Sequence, residues 1–272
     1  METKTIVPVR RLIYDIEVTP NVVLAFRAGY DLNINHESII EERKVICIAY
    51  KWQGERNTTI LRWDKNRQDR RMLLDFIAVA ATADELVAHF GDRFDLPWIR
   101  TRCLILKLNP LPFFKTIDTK AWASKNFYFN SNKLDYISQI LGFAGKEKME
   151  FEDWKNIAMK NNFYQTSLDK MCFYCGEDVN RLEEVFLSFE PLIRPKTHVG
   201  VMNGLEKWTC PRTGSTNVIT SKKRVTHSGT INWQMQNKDN GTYYQISDKA
   251  HNAYLKHVQT LRRPSKKGNG KG

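Results

Sequence analysis

Residues 11–18 read RLIYDIEV, a run suited to a buried strand that nevertheless carries Asp15 and Glu17 two positions apart. A strand sends residues i and i+2 to the same face, roughly 6–7 Å apart at Cα. Both carboxylates therefore leave one apolar scaffold in the same direction. Two such acids repel, and each loses hydration, so the pair calls for a cation. Two further acids have chemical potential. In HFGDRFDLPWI, Asp95 follows a strand-like run and opens a helix-like one. In YCGEDV, Tyr174 and Asp178 are four apart and so share a helix face. Taken singly, each has a plain structural rival: Asp95 equally fits a helix N-cap, and Asp178 a salt-bridge partner.

Groups this far apart in the chain need strands and helices to gather them. VVLAFR, KVICIAYKW and NTTILRW are short, rich in β-branched or aromatic residues and bounded by turn residues, which predicts successive strands of one sheet with RLIYDIEV. RRMLLDFIAVAATA has helical spacing, ELVAHF returns to strand, FDLPWIRTRCLILKL is a helix and TIDT a short strand. NKLDYISQILGF is a helix ended by Gly142 or Gly145. SLDKMCFYCGEDVNRLEEVFLSF is a long helix closed by Pro191 and Pro195, which mark a boundary. Strands followed by alternating helices predict an α/β fold, a mixed β-sheet flanked by helices. No internal repeat and no Gly-rich phosphate loop occurs.

The motifs acquire meaning from their order. Asp-x-Glu on the first strand, Phe-Asp-Leu-Pro eighty residues on and Tyr-x-x-x-Asp on the last long helix resemble the three exonuclease motifs of the DEDDy family. These are 3′→5′ exonucleases of the ribonuclease H-like fold, among them the proofreading domains of family B DNA polymerases. HFGDRFDLPWIRTR, TIDT and FNSNKLDYISQILG resemble the connecting segments of stand-alone members with a short zinc ribbon behind them, so the likeness runs through residues 10–195. The resemblance implies a ribonuclease H-like sheet and a small C-terminal, β-rich, ribbon-like appendage. It implies that Asp15, Glu17, Asp95 and Asp178 hold two divalent cations, Mg2+ or Mn2+, which favour hard oxygen ligands. It further implies that Tyr174 orients the attacking water and that the product is a nucleoside 5′-monophosphate cut from a 3′ end. Two positions depart from the pattern. Phe90 stands where related chains commonly have Asn, and Gly176 lies inside the long helix at a cost of about 1 kcal/mol against Ala, which predicts close approach of another backbone. Asp118 in TIDT is a secondary candidate, because a strand-end Asp often caps the following helix.

The net charge of +12 is unevenly placed. Residues 1–195 hold 28 Lys and Arg against 27 Asp and Glu, whereas residues 196–272 hold 14 against 3. The expected organisation is a nuclease-like domain over 1–195, a degenerate, basic, zinc-ribbon-like segment over 196–250 and a basic tail over 251–272. A zinc ribbon has four cysteines; here Cys210 remains, but Thr213, Asn237 and Asn240 stand at the other three places. Neutral amides and hydroxyls are poor zinc ligands, so no zinc is expected. Basic residues interleaved with aromatics point to a polyanionic partner, with Lys222, Lys223, Arg224, Trp233 and Tyr243 as candidate nucleic-acid contacts. Single-stranded DNA is the favoured substrate. The rival readings are an exoribonuclease of the same fold and a catalytically silent nucleic-acid-binding protein.

Other classes are disfavoured. No run of eighteen apolar residues appears, and METKTIVPVRR lacks a signal-peptide pattern, so no membrane partner and no export are expected. Five scattered cysteines (47, 103, 172, 175 and 210) suit a reducing, cytoplasmic setting. Cys172 and Cys175 form a Cys-x-x-Cys, but no second pair exists and they flank Tyr174 on a helix; they read as core. The sequence names no protein partner.

Overall fold

The strand that carries the first two acids runs through the middle of the main sheet. The computed structural model describes residues 5–262 except 30, 110 and 144–147. The chain divides into two compact units, one spanning Arg10–Ile193 and the other formed by the chain from Arg194 onward with the residues that precede Arg10. The first unit begins with β1 (Arg11–Val18), β2 (Val22–Val23), β3 (Ile39–Glu41), β4 (Val45–Trp52) and β5 (Thr59–Arg62). There follow α1 (Arg70–Ala80), β6 (Glu85–Ala88), α2 (Asp95–Ile105), β7 (Lys115–Asp118) and α3 (Thr119–Asn126). Helices α4 (Leu134–Ile140), α5 (Phe151–Met159) and α6 (Tyr164–Phe189) complete it. The five-stranded sheet has the order β5-β4-β1-β6-β7. β1 pairs antiparallel with β4 and parallel with β6. The sheet is thus mixed and flanked by helices, an α/β fold.

Alternation along β1 builds two cores. Leu12, Tyr14 and Ile16 join Met72, Phe76, Leu96 and Ile99 on the α1 and α2 side. Ile13 packs on the opposite side with Cys47, Ala49, Met171, Val179 and Phe186, beneath α6. Asp15 and Glu17 continue the Ile13 row, so the period of two aims both acids at α6. Buried ion pairs tie the layers together. Arg102 on α2 makes a two-pronged pair with Asp69 at 2.6 and 2.9 Å, and Asp69 also accepts from Val45 N at 3.3 Å. Lys51 on β4 meets Glu183 on α6 at 2.6 Å. Arg11 reaches Glu85 at 2.6 Å and Glu190 at 2.8 Å.

The structure departs from the sequence reading in three places here. VVLAFR does not extend the main sheet: β2 is only Val22–Val23 and pairs with β3 in a separate two-stranded sheet. Pro20 lies just before it and cannot donate to a ladder, and Leu24 and Phe26 are exposed, so their apolar character does not reflect burial. Helices α3 and α5 fall where the sequence reading placed no element; α5 starts at a reciprocal cap between Glu150 and Asp153 within a charged stretch. Gly142 follows the end of α4 with φ +85°, a backbone state suited to glycine. Gly145, the other candidate, lies outside the described residues.

The second unit contains α7 (Val199–Met202), β8 (Val218–Val225), β9 (Ile231–Asn237), β10 (Tyr243–Ser247) and α8 (Asp248–Arg262). Its strands form an antiparallel sheet in the order β10-β9-β8 over a core of Trp208, Cys210, Val218, Met235, Ile246 and Ala250. Helix α8 runs on to Arg262 through the first residues of the segment read as a basic tail; Ala250, Ala253 and Tyr254 pack it against the core of this unit, and Tyr254 donates to Val218 O at 3.1 Å. The rest of the tail lies outside the described residues. Two turns of this unit face each other. Asn237 Nδ2 donates to Thr213 Oγ1 at 3.2 Å, and Asp239 accepts from Ser215 Oγ at 2.5 Å and Asn217 Nδ2 at 2.6 Å. These side-chain hydrogen bonds cross-link the turns.

The Asp69–Arg102 pair yields a stability test. Removing one partner strands a buried charge at a cost of about 3–5 kcal/mol. Asp69→Ala should lower the melting temperature by on the order of 10 °C, while Asp69→Leu combined with Arg102→Met recovers most of the loss. Thermal melts of the three variants provide the check; equal melting of Asp69→Ala and wild type would contradict the assigned role.

Candidate metal centre

Three acids from two elements converge at the end of the central strand. Carboxylate oxygens of Asp15, Glu17 and Asp178 all lie within 4.8 Å of one another, the one such grouping of three or more metal-ligating side chains among the described residues. Asp15 and Glu17 are partly open to solvent and Asp178 is buried. The convergence follows from local structure. β1 turns Asp15 and Glu17 to α6, and α6 returns Asp178 from the turn beyond Cys175, whose thiol donates to Asp15 O at 3.5 Å and approaches Asp15 Oδ2 at 3.6 Å. Gly176 permits this seating: a Cβ there would meet Ile60 Cδ1 at 3.1 Å. The neighbour is thus a side chain of β5 rather than the second backbone expected.

Asp95 stands beside this group without belonging to it. It is the first residue of α2, preceded by Phe94, which makes no side-chain cap. Asp95 Oδ1 instead accepts from Ile16 N at 3.2 Å, which fixes the carboxylate next to Asp15. The proximity registers in proton affinity. Burial, then Asp95, Glu17 and Asp178, hold the Asp15 carboxyl well above the usual range. Burial also pushes Asp95 up to about 7, opposed by its backbone hydrogen bonds and aided by Asp118. Tyr174 is half-buried on α6, one turn before Asp178, on the same helix face.

The donor set fits hard divalent cations. It is all carboxylate oxygen, it gathers like charge in a poorly solvated place, and Arg181 Nη1 stands 3.8 Å from Asp178, beyond hydrogen-bond length. Bare, this constellation is self-repelling; a divalent ion would relieve it.

Nearby residues hold the loop that delivers Asp95. Asp118 accepts from Phe90 N at 3.0 Å, Asp92 N at 3.4 Å and Ala121 N at 3.0 Å, so it caps α3 and clamps the turn before α2. Its commitment to three N–H groups gives it a positioning role. His89 bridges Thr119 Oγ1 and Asn132 O, both at 2.9 Å. Phe90 adopts φ +71°, a region that favours Asn over Phe, and Lys120 Nζ sits 3.8 Å from its ring centroid. The link from Cys175 to Asp15 escaped the sequence reading, since nothing in a lone thiol's position announces a partner 160 residues away.

The basic residues belong to the second unit. Lys222, Lys223 and Arg224 are exposed on β8, and Tyr243 is exposed on β10. Arg224 is tied to Gln234 at 2.6 and 2.9 Å. Trp233 is partly committed: it donates to Asp248 Oδ1 at 2.7 Å and stacks on His251 at 3.8 Å between centroids. One face of its ring is therefore covered.

Comparison with known proteins agrees with this architecture. The family model described as RNase_H superfamily matches residues 33–188, a range that takes in Asp95, Tyr174 and Asp178 and begins after β1. The solved structure of the family B DNA polymerase from the hyperthermophilic archaeon Pyrobaculum calidifontis is similar, with a TM-score of 0.52 and 16% sequence identity. The likeness covers 72% of this chain and 26% of the polymerase, so this chain spans about a quarter of that protein. No curated protein matches the sequence.

The repulsion among the acids has a measurable sign. With Asp95 at about 7 in the folded chain and near 3.9 unfolded, the native state binds more protons across that window. Metal-free stability should therefore fall as pH rises from 5 to 8 at this group. In chelator, Asp95→Asn should melt a few degrees above wild type at pH 8, and the gap should close towards pH 5. Manganese should raise the melting temperature of wild type and leave Asp15→Asn unmoved. A manganese shift preserved in Asp15→Asn would place the ion elsewhere.

Proposed function

The chain belongs to the RNase H superfamily, and from that premise we propose that it is a metal-dependent 3′→5′ exonuclease of the DEDDy type. The observation that carries the reading is the gathering of Asp15, Glu17 and Asp178 within 4.8 Å, with Asp95 anchored beside them. Such clustered acids cost folding free energy when bare and gain a purpose when they hold ions. The four carboxylates are assigned as ligands for two Mg2+ or Mn2+ ions. When bound, paired ions supply charge stabilisation to the attacking and leaving oxygens of an in-line phosphoryl displacement.

The chain's own residues do the rest. Tyr174, one turn before Asp178, is assigned to hold the attacking water by hydrogen bond; phenols keep their protons near neutral pH, so orientation suits it better than deprotonation. Water adds to phosphorus as the P–O3′ bond breaks, releasing a nucleoside 5′-monophosphate and leaving a 3′-hydroxyl on the shortened strand. Single-stranded DNA is favoured as substrate on the likeness to a DNA polymerase. Lys222, Lys223, Arg224, Trp233 and Tyr243 are proposed to grip the strand through phosphate contacts and stacking; the covered face of Trp233 leaves Tyr243 the freer platform. The ribbon-like sheet is proposed to do this without zinc, since Asn237, Thr213 and Asp239 already join its turns.

Two measurements test the reading. Labelled single strands should shorten from the 3′ end only with magnesium or manganese, and Asp15→Ala or Asp178→Ala should slow this by several orders of magnitude. Tyr174→Phe should be impaired yet retain metal-dependent cleavage. Full activity in chelator or in Asp15→Ala defeats the proposal, and RNA cleaved faster than DNA would reassign the substrate. Separately, Lys222→Ala, Lys223→Ala and Arg224→Ala combined should flatten the dependence of log affinity on log salt by up to about 2, three phosphate contacts at roughly 0.7 each. An unchanged slope would take these residues out of the grip.

A further inference from the structure

The turn that delivers Asp95 breaks two local rules at one point. Phe90 adopts φ +71°, a left-handed state that strains a bulky side chain and that glycine or asparagine would take more easily. The turn holds it there. Phe90 N donates to Asp118 Oδ1 at 3.0 Å, and Phe90 O accepts from Arg93 N at 3.1 Å and Phe94 N at 2.9 Å. Burial does not offset the strain, because Phe90 is only half-buried and belongs to none of the four apolar clusters among the described residues. Its neighbour breaks the second rule. Lys120 is the second residue of α3, where the exposed N–H groups of a helix start disfavour a cation. Among the described residues Lys120 enters no ion pair, and Asp118, two residues before it, is committed to N–H groups. The Lys120 ammonium instead stands 3.8 Å from the Phe90 ring centroid. Local rules broken together, with no gain in packing or charge pairing, mark functional positions. The place also suits a substrate: the bond from Phe94 N to Phe90 O closes one tight turn, and Asp95 follows it, anchored to Ile16 N beside Asp15.

We propose that Phe90 and Lys120 together hold the 3′-terminal nucleotide at the acid site: its base stacks on the Phe90 ring and the Lys120 ammonium pairs with a phosphate. The contact rests on the proposed nuclease function and adds to it a grip on the strand end. Stacking on an aromatic ring accepts any base, since every base has a π face. An ammonium over a phenyl ring is a weak contact, whereas an ammonium bonded to a phosphate oxygen is charge-assisted and stronger. An arriving phosphate therefore draws Lys120 off the ring and clears that face for the base. The backbone of Phe90 is fixed by three hydrogen bonds beforehand, so little ordering remains when the nucleotide binds.

The experiment measures binding to the full-length protein in manganese, with deoxyadenosine 5′-monophosphate and 2-deoxyribose 5-phosphate as probes. Wild type should bind the base-bearing probe about tenfold more tightly, the worth of one stacked base. Phe90→Leu should bind the two alike, Phe90→Tyr should keep the preference, and so should Phe26→Leu, which removes an exposed ring outside this turn. Lys120→Met should weaken both probes by similar factors. It should also flatten the dependence of log affinity for a single strand on log salt by about 0.7, the share of one phosphate contact; Lys120→Arg should restore the slope. In cleavage, KM for a strand ending in an abasic nucleotide should exceed that for one ending in adenine about tenfold, and Phe90→Leu should bring the two values together. A wild type that binds both probes alike overturns the proposal even where a variant fails to fold. A preference that survives in a Phe90→Leu protein melting as a folded chain overturns it too, and an unchanged salt slope in Lys120→Met removes the lysine. A base preference in binding without cleavage in any metal defeats the nuclease reading alone, because the probe assay needs no turnover.

Discussion

Like charges held at short range set the terms for the first unit. Asp15, Glu17 and Asp178 come within 4.8 Å of one another with Asp95 adjacent, and each carboxylate gives up part of its hydration in doing so. A loop could not keep such groups together, since it would relax to separate them. The protein places two of them on the central strand of a five-stranded sheet and the third on a helix of 26 residues. The repulsion is confined by elements that cannot yield one at a time.

What makes those elements unyielding is packing on both faces of β1. The Leu12, Tyr14 and Ile16 row is sealed by α1 and α2, and the Ile13 row by α6. Apolar burial, at about 25 cal/mol per Å², opposes the electrostatic cost of the acids. Charged pairs then fix orientation more than they add stability. Lys51–Glu183 pins α6 to β4, Arg11 joins β1 to Glu85 and Glu190, and Arg102–Asp69 couples α2 to the start of α1. Desolvation cancels much of the attraction in each case. Their value is geometric, since each fixes one element against another. Gly176 belongs to the same logic, its missing side chain letting α6 settle against Ile60.

Much of this was legible in the residues because two periodicities are local. The period of two in RLIYDIEV placed Asp15 and Glu17 on one face, and the four-residue spacing placed Tyr174 with Asp178. Long-range partners were not legible. That Asp95 would accept from the Ile16 backbone depends on how β6 lies beside β1, which no window of sequence contains. VVLAFR misled because β-branched and aromatic residues signal a strand only where something covers them, and Leu24 and Phe26 are uncovered. In the C-terminal unit the scarcity of cysteines was plain, but not what joins the turns. Thr213, Ser215, Asn217, Asn237 and Asp239 are ordinary turn residues until they face one another.

The division of charge between the units follows from the same electrostatics. A surface that gathers acids for cations repels phosphates until the ions arrive, so a strong positive field within the acid-bearing unit would compete with the metals for the carboxylates. Near-balance over residues 1–195 avoids that competition, and the excess of positive charge falls over residues 196–272. Lys222, Lys223 and Arg224 are exposed on a strand with no carboxylate opposite them: Gln234, Trp233 and Asn232 are their cross-strand partners. Their charge is therefore not cancelled within the sheet. Holding cations and attracting phosphates make opposite electrostatic demands, and the chain keeps its acid cluster and its excess of positive charge in different units.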